Sequence, residues 1–166
     1  MEKFTIVSGG QTGADRAGLD FAICYNIPHR GWCPKGRKAE DGVIPPTYQL
    51  RETPSEDYEQ RTEWNARDSD GTVIFTIGKE LTGGSKLTAE FANRHAKPLL
   101  HLYTGFEYTM EMQLIDFVSR NGIAVLNIAG SRASKEPQVY RFAFELLKTA
   151  FDKRPEVAWL VGEGEG

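Results

Sequence analysis

Two glycine-rich stretches and one basic stretch carry the residue types that could hold an anion. The first, "SGGQTGADR", sets Gly9, Gly10 and Gly13 among Ser8, Gln11, Thr12, Asp15 and Arg16. An apolar run that reaches glycines and then enters a helical pattern turns backbone N–H groups toward a negative ligand, the alternative for Gly9, Gly10 and Gly13 being a tight turn of positive φ with close helix packing. The second, "LTGGSKLTAE", places Gly83 and Gly84 between Thr82 and Ser85, with Lys86 just beyond. A lysine in a first helical turn opposes the helix dipole, and either an anion relieves that conflict or the side chain is simply solvated. Glu90, one turn on, is the base this stretch offers if the protein is an enzyme, and otherwise a solvated or capping residue. The third, "AGSRASKEP", adds Arg132 and Lys135 beside small residues. Together the three call for an oxyanion, most simply the phosphate of an organic ligand. Tyr58, Arg61 and Asn65 recur at spacings of three and four, so one helical face carries a ring, a guanidinium and an amide suited to closing over a heterocycle. The plainer alternative pairs Arg61 with a carboxylate and uses Trp64 as an anchor. The acids of "DSDG", Asp68 to Gly71, either form a turn or orient the ligand.

Other chemistries fail on spacing. Ser8 stands where a dinucleotide fingerprint has its first glycine, and no acid follows the second strand to bind a ribose, which argues against NAD. No G-K-[ST] closes a nucleoside-triphosphate loop, and no G-x-S-x-G elbow presents a serine. His29, His95 and His101 make no ligand pattern with each other or with cysteine, so no dedicated metal site is expected. Of the two cysteines, Cys33 at a strand end is the thiol placed to meet a ligand, and Cys24 reads as core packing.

The elements that must position these loops alternate along the chain. Phe4 to Val7 is a short strand apolar on both faces, and Ala14 to Asn26 a helix whose small residues allow close approach to a sheet. Thr12 and Asp15 have capping-box spacing. His29 to Cys33 is a short second strand. Residues 34–70, rich in Pro, Gly and charge, form a long functional insertion or loop with a helix over Tyr58 to Asp68. Strand "TVIFTI", a helix capped at Ser85, strand "PLLHLY", helix "EMQLIDFVSRN", strand "IAVLNI" and a last helix from Pro137 follow. Such alternation predicts an α/β, three-layer, Rossmann-like fold with a central parallel sheet of about five strands. Order 2-1-3-4-5 is preferred, because it sets the first strand beside the Thr72 strand and brings their glycine loops face to face at the strand C-terminal ends.

With 166 residues the chain is read as one domain, 1–166, ending in a flexible acidic tail over 162–166. Its 40% apolar and 26% charged residues suit a globular protein, and no apolar run reaches the roughly 20 residues that span a bilayer. Met1-Glu2-Lys3 leads straight into a strand, without the pattern of a signal peptide, and the sparse cysteines suit a reducing, cytoplasmic setting. A net charge of -3 gives no field to draw nucleic acid or an anionic membrane, so neither is an expected partner.

In wording and order, "SGGQTGADRAGLDFA", "GWCPKGRKAEDG", "YQLRETPSEDYEQRTEWNARDSDGTVIF", "LTGGSKLT" and "LNIAGSRASKEP" resemble the molybdenum cofactor carrier family over about Ser8 to Pro137. The resemblance implies a Rossmann-like fold related to the Lonely Guy phosphoribohydrolases and the DNA-processing proteins. It also implies a small cytosolic binding protein, a homo-oligomer with molybdoenzymes as recipients, whose ligand is molybdenum cofactor, a pterin phosphate (molybdopterin). Its phosphate is then expected on Gly9, Gly10, Gly83 and Gly84 with Lys86 or Arg132 nearby, and its pterin near Tyr58, Arg61 and Asn65. The competing enzyme reading is a nucleoside monophosphate phosphoribohydrolase, whose P-G-G-x-G-T-x-x-E loop is matched here by Gly83, Gly84 and Glu90 but not by Thr82, Lys86 or the displaced Thr88. A nucleotide-sensing module is the third reading, and a non-catalytic carrier is preferred.

Overall fold

The computed structural model describes residues 3–105 and 109–153. In chain order the elements are β1 (Thr5–Val7), α1 (Ala14–Cys24), β2 (His29–Arg30), β3 (Trp32–Cys33), β4 (Lys38–Ala39), β5 (Gly42–Val43) and β6 (Arg51–Glu52). Then come α2 (Tyr58–Arg67), β7 (Gly71–Thr76), α3 (Gly83–Arg94), β8 (Leu99–Tyr103), α4 (Met110–Arg120), β9 (Val125–Gly130) and α5 (Val139–Lys153).

Five strands form one parallel sheet in the order β2-β1-β9-β7-β8. Helices flank it, α1 and α4 packing with α5 and α2 with α3, which gives the expected three-layer α/β architecture. The preferred strand order does not hold, because the last strand, β9, lies between β1 and β7. Composition explains the position. β7 is buried throughout and β9 at all but its last residue, as central parallel strands require. Gly18 of α1 also packs so tightly on Ile128 of β9 that a Cβ would come within 2.7 Å of that side chain. At the edges, β2 has two residues and β8 is only half-buried. The main core, including Phe21, Phe75, Leu102, Leu114, Leu126 and Leu147, lies between sheet and helices.

Gly31 splits the expected second strand. A Cβ there would fall 2.1 Å from the Ser8 carbonyl oxygen, so the chain crosses close to β1 and leaves the sheet. Trp32–Cys33 pairs instead with Arg51–Glu52. Residues 34–70 are thus ordered, with a β4–β5 hairpin, a small core of Cys33, Ala39 and Ile44, and α2. The cysteines reverse their expected places: Cys24 is exposed, whereas Cys33 is buried and burial pushes its thiol pKa up. Among the described residues no helix is long and apolar enough to cross a membrane. Residues 162–166 lie outside the described residues.

Candidate functional site

Because β1, β9 and β7 are neighbours, the loops after them share one rim of the sheet, the basic loop in the middle. Helix α1 starts at Ala14, with Gly13 as its N-cap. Gly13 is left-handed, and a Cβ would meet the Ser131 carbonyl oxygen at 2.3 Å, so only glycine lets the first loop lie against the third. The expected capping box does not form. Asp15 Oδ2 instead accepts the Gln11 N–H at 3.1 Å, and Thr12 Oγ1 accepts from Ala133 N at 3.1 Å and donates to Glu40. Helix α3 begins at Gly83 with Thr82 as N-cap, three residues before the expected cap at Ser85. Among the described residues, the amides of Gly83 and Gly84 have no protein acceptor, as the first turn of a helix leaves them.

A cavity of about 320 Å³ opens between these loops and α2. Its lining includes Thr82, Gly83, Gly84, Arg132 and Lys135, with the Lys135 ammonium donating to the Thr82 hydroxyl. Nothing crowds a Cβ at Gly84, so a ligand can approach its amide closely. Gly9, Gln11, Asp15, Tyr58, Arg61, Thr62 and Asn65 also line it, together with Ser85, Thr88 and Asn127. Arg61 Nη1 donates to the Gly9 carbonyl at 2.8 Å and stands 4.0 Å from Asp15 Oδ2. Burial dominates both charges: it lifts the Asp15 carboxyl to about 6, against the pull of Arg61 and the Gln11 N–H, and it lowers the pKa of Arg61. The plainer reading of Arg61 therefore holds in part, whereas Trp64 does not reach the core and stands half-buried, edge-on to Trp32 at 4.8 Å. Asn65 spends its amide on the Trp32 backbone, accepting at 2.8 Å and donating at 2.9 Å, so it builds the wall.

Several residues expected at the ligand lie elsewhere. Ser8 holds the turn, donating to the Asp15 carbonyl at 2.9 Å and accepting from Gly10 N at 3.3 Å. Gly10 faces Ile44 and Leu50 of the small core rather than the cavity. Arg16 is turned away by a bidentate pair with Asp41 and by the Gly10 carbonyl. Lys86 and Glu90 are exposed and do not line the cavity, because Ser85 and Thr88, three apart, take the inward face of α3. Asp68 binds Arg67 and the Trp32 indole, and Asp70 accepts the amides of Ala124 and Val125, so the "DSDG" acids are structural.

Two glutamates brace the rim and were not singled out from the sequence. Glu136 accepts from the Ile77 and Gly78 amides at 3.0 and 2.8 Å and from the Ser131 hydroxyl. Burial works to raise its pKa, and these bonds outweigh it and hold the carboxyl low. Glu40, at the hairpin tip, accepts from Ser134 N at 3.1 Å and from the Ser134 and Thr12 hydroxyls, tying the insertion to two loops. The one readable signal was Asn127, a polar residue inside the apolar run of β9.

Among curated proteins none matches this chain. The crystal structure of the "Putative molybdenum carrier protein" from Syntrophus aciditrophicus SB is similar, at 49% identity over 90% of this chain and 97% of that one, with a TM-score of 0.85. The family model described as the Circularly permutated YpsA SLOG family matches residues 6–151. The agreement runs from β1 to the last helix, and the chain belongs to the Circularly permutated YpsA SLOG family.

Proposed function

We propose that the cavity binds and carries a phosphorylated heterocycle, molybdenum cofactor being the pterin phosphate concerned. The observation that carries the reading is that one cavity is lined by two kinds of group. Two free helix-start amides with the side chains of Arg132 and Lys135 make up one set of lining groups, and the buried side chains of Gln11, Asp15 and Arg61 another. The first suits a phosphate and the second a ring with polar edges. The family membership and the name of the Syntrophus protein support a ligand of this kind. Carriage is favoured over phosphoribohydrolysis because Glu90, the residue matching the catalytic glutamate, stands outside the cavity. Release to recipient molybdoenzymes, and assembly of the chain as a homo-oligomer, belong to the same proposal.

The test is a thermal melt of the full chain with molybdopterin. At a hundred times its dissociation constant a ligand adds about 2.7 kcal/mol, or roughly 5–10 °C for a domain of this size. The shift is expected in the native chain and lost in Lys135→Glu. No shift at saturating molybdopterin overturns the reading.

A further inference from the structure

The buried side chains of Asp15, Arg61 and Gln11, which line the cavity, hold more hydrogen-bonding capacity than the protein uses. Asp15 is 9% exposed, and among the described residues its Oδ1 has no donor, while Oδ2 has only the Gln11 amide, with Arg61 beyond bonding distance at 4.0 Å. Arg61 is 7% exposed and spends Nη1 on Gly9 and Nε on Thr62, which leaves Nη2 without an acceptor among the described residues. Gln11 is fixed in orientation because its Oε1 accepts two backbone amides, Thr12 at 3.0 Å and Glu40 at 2.9 Å. Its Nε2 therefore has to be the donor left over. Buried groups in this condition cost stability unless something satisfies them.

The pattern is a carboxylate that needs donors beside two groups that need an acceptor. A ring edge with an oxo group next to a ring N–H and an exocyclic amino group supplies both. Adenine lacks the oxo group and the ring N–H, and a 2-oxo ring such as xanthine or lumazine sets a second carbonyl against the carboxylate. We propose that Asp15 reads the ring N–H and 2-amino group of a 2-amino-4-oxo heterocycle while Arg61 and Gln11 meet its oxo group, so that the cavity selects pterin and guanine rings over adenine and 2-oxo rings. The assignment rests on the proposed binding of a phosphorylated heterocycle and adds which ring edge is recognised, and by which residue.

The experiment titrates the full chain and Asp15→Asn with neopterin monophosphate, GMP, XMP and AMP by calorimetry. In the native chain neopterin monophosphate and GMP bind at least tenfold more tightly than XMP or AMP. In Asp15→Asn, whose amide donates where the carboxylate accepted, the GMP to XMP preference inverts. That gain of XMP binding is a result no merely structural role of Asp15 produces. Equal binding of GMP and XMP by the native chain, or an unchanged ratio in the variant, overturns the Asp15 assignment and leaves phosphate binding in place. Failure of all four ligands to bind either protein overturns both.

Discussion

Replacing Asp15 by Asn should make the ligand-free protein more stable at neutral pH. Burial lifts this carboxyl from its ordinary 3.8 to about 6. Each pKa unit being worth about 1.4 kcal/mol, the ionised side chain costs the fold on the order of 3 kcal/mol at pH 7. The opposing argument is that Asn strands Arg61, since breaking a buried ion pair is often harmful. The attraction of Arg61 is already counted in the Asp15 balance, however, and burial exceeds it. At 4.0 Å the pair is loose, and Arg61 keeps its bond to the Gly9 carbonyl. Desolvation should therefore win. A group with a raised native pKa contributes stability that is full below its unfolded pKa and lost as pH rises through the native one. The native chain thus loses this contribution between about pH 4 and 6, and Asp15→Asn does not. Urea unfolding of both proteins from pH 4 to 8 measures the difference. The gap should be near zero at pH 4 and reach a plateau above pH 6.5. A variant less stable than the native chain at pH 7.5 would overturn this balance and make the Asp15–Arg61 pair a source of stability.

The glycines should separate by surroundings. Gly13→Ala forces a left-handed alanine against the Ser131 carbonyl and should cost 2 kcal/mol or more in denaturant unfolding, roughly the strain of such a residue plus the clash. Gly84→Ala meets nothing and should raise stability by up to about 1 kcal/mol while weakening phosphate-ligand binding in titrations. Lys135→Glu should lower ligand affinity at least tenfold in calorimetry, whereas Lys86→Glu, outside the cavity, should leave it unchanged. His29 Nε2 accepts the Gln49 amide at 3.1 Å, and burial lowers its pKa. A His held neutral by the fold stabilises above its unfolded pKa, near 6.5, and that contribution fades as pH falls through it. His29→Ala should flatten that part of the stability profile, read as melting temperature from pH 7.5 to 5.

The central strands were legible because β7 and β9 are buried, nearly unbroken apolar runs, and their alternation with helices admits few architectures. The split at Gly31 and the two-residue strands β4, β5 and β6 of the insertion were not, being too short to show a period. Strand order was not legible. It depends on long-range contacts such as Gly18 on Ile128, and the sequence shows a small residue without its partner. At the site, Gly9, Gly83, Gly84, Arg61, Arg132 and Lys135 were legible by residue type and loop position. The places of Lys86 and Gly10 were not, because the face of α3 that packs inward carries Ser85, Thr88, Phe91 and Ala92 and leaves Lys86 outside, and Gly10 turns toward an insertion core assembled from distant residues. Glu40 and Glu136 stood in charged runs, where nothing marks a carboxylate that will accept backbone amides.

Loops distant in sequence line one cavity, and on this proposal they meet one phosphorylated ligand there. Amide nitrogen–proton NMR spectra of the full chain during titration with neopterin monophosphate test it most directly. The account predicts that Gly9, Gly83 and Gly84 shift together along one saturating curve. Saturation with these three unmoved, while amides around Arg30 and Arg51 respond, would contradict it.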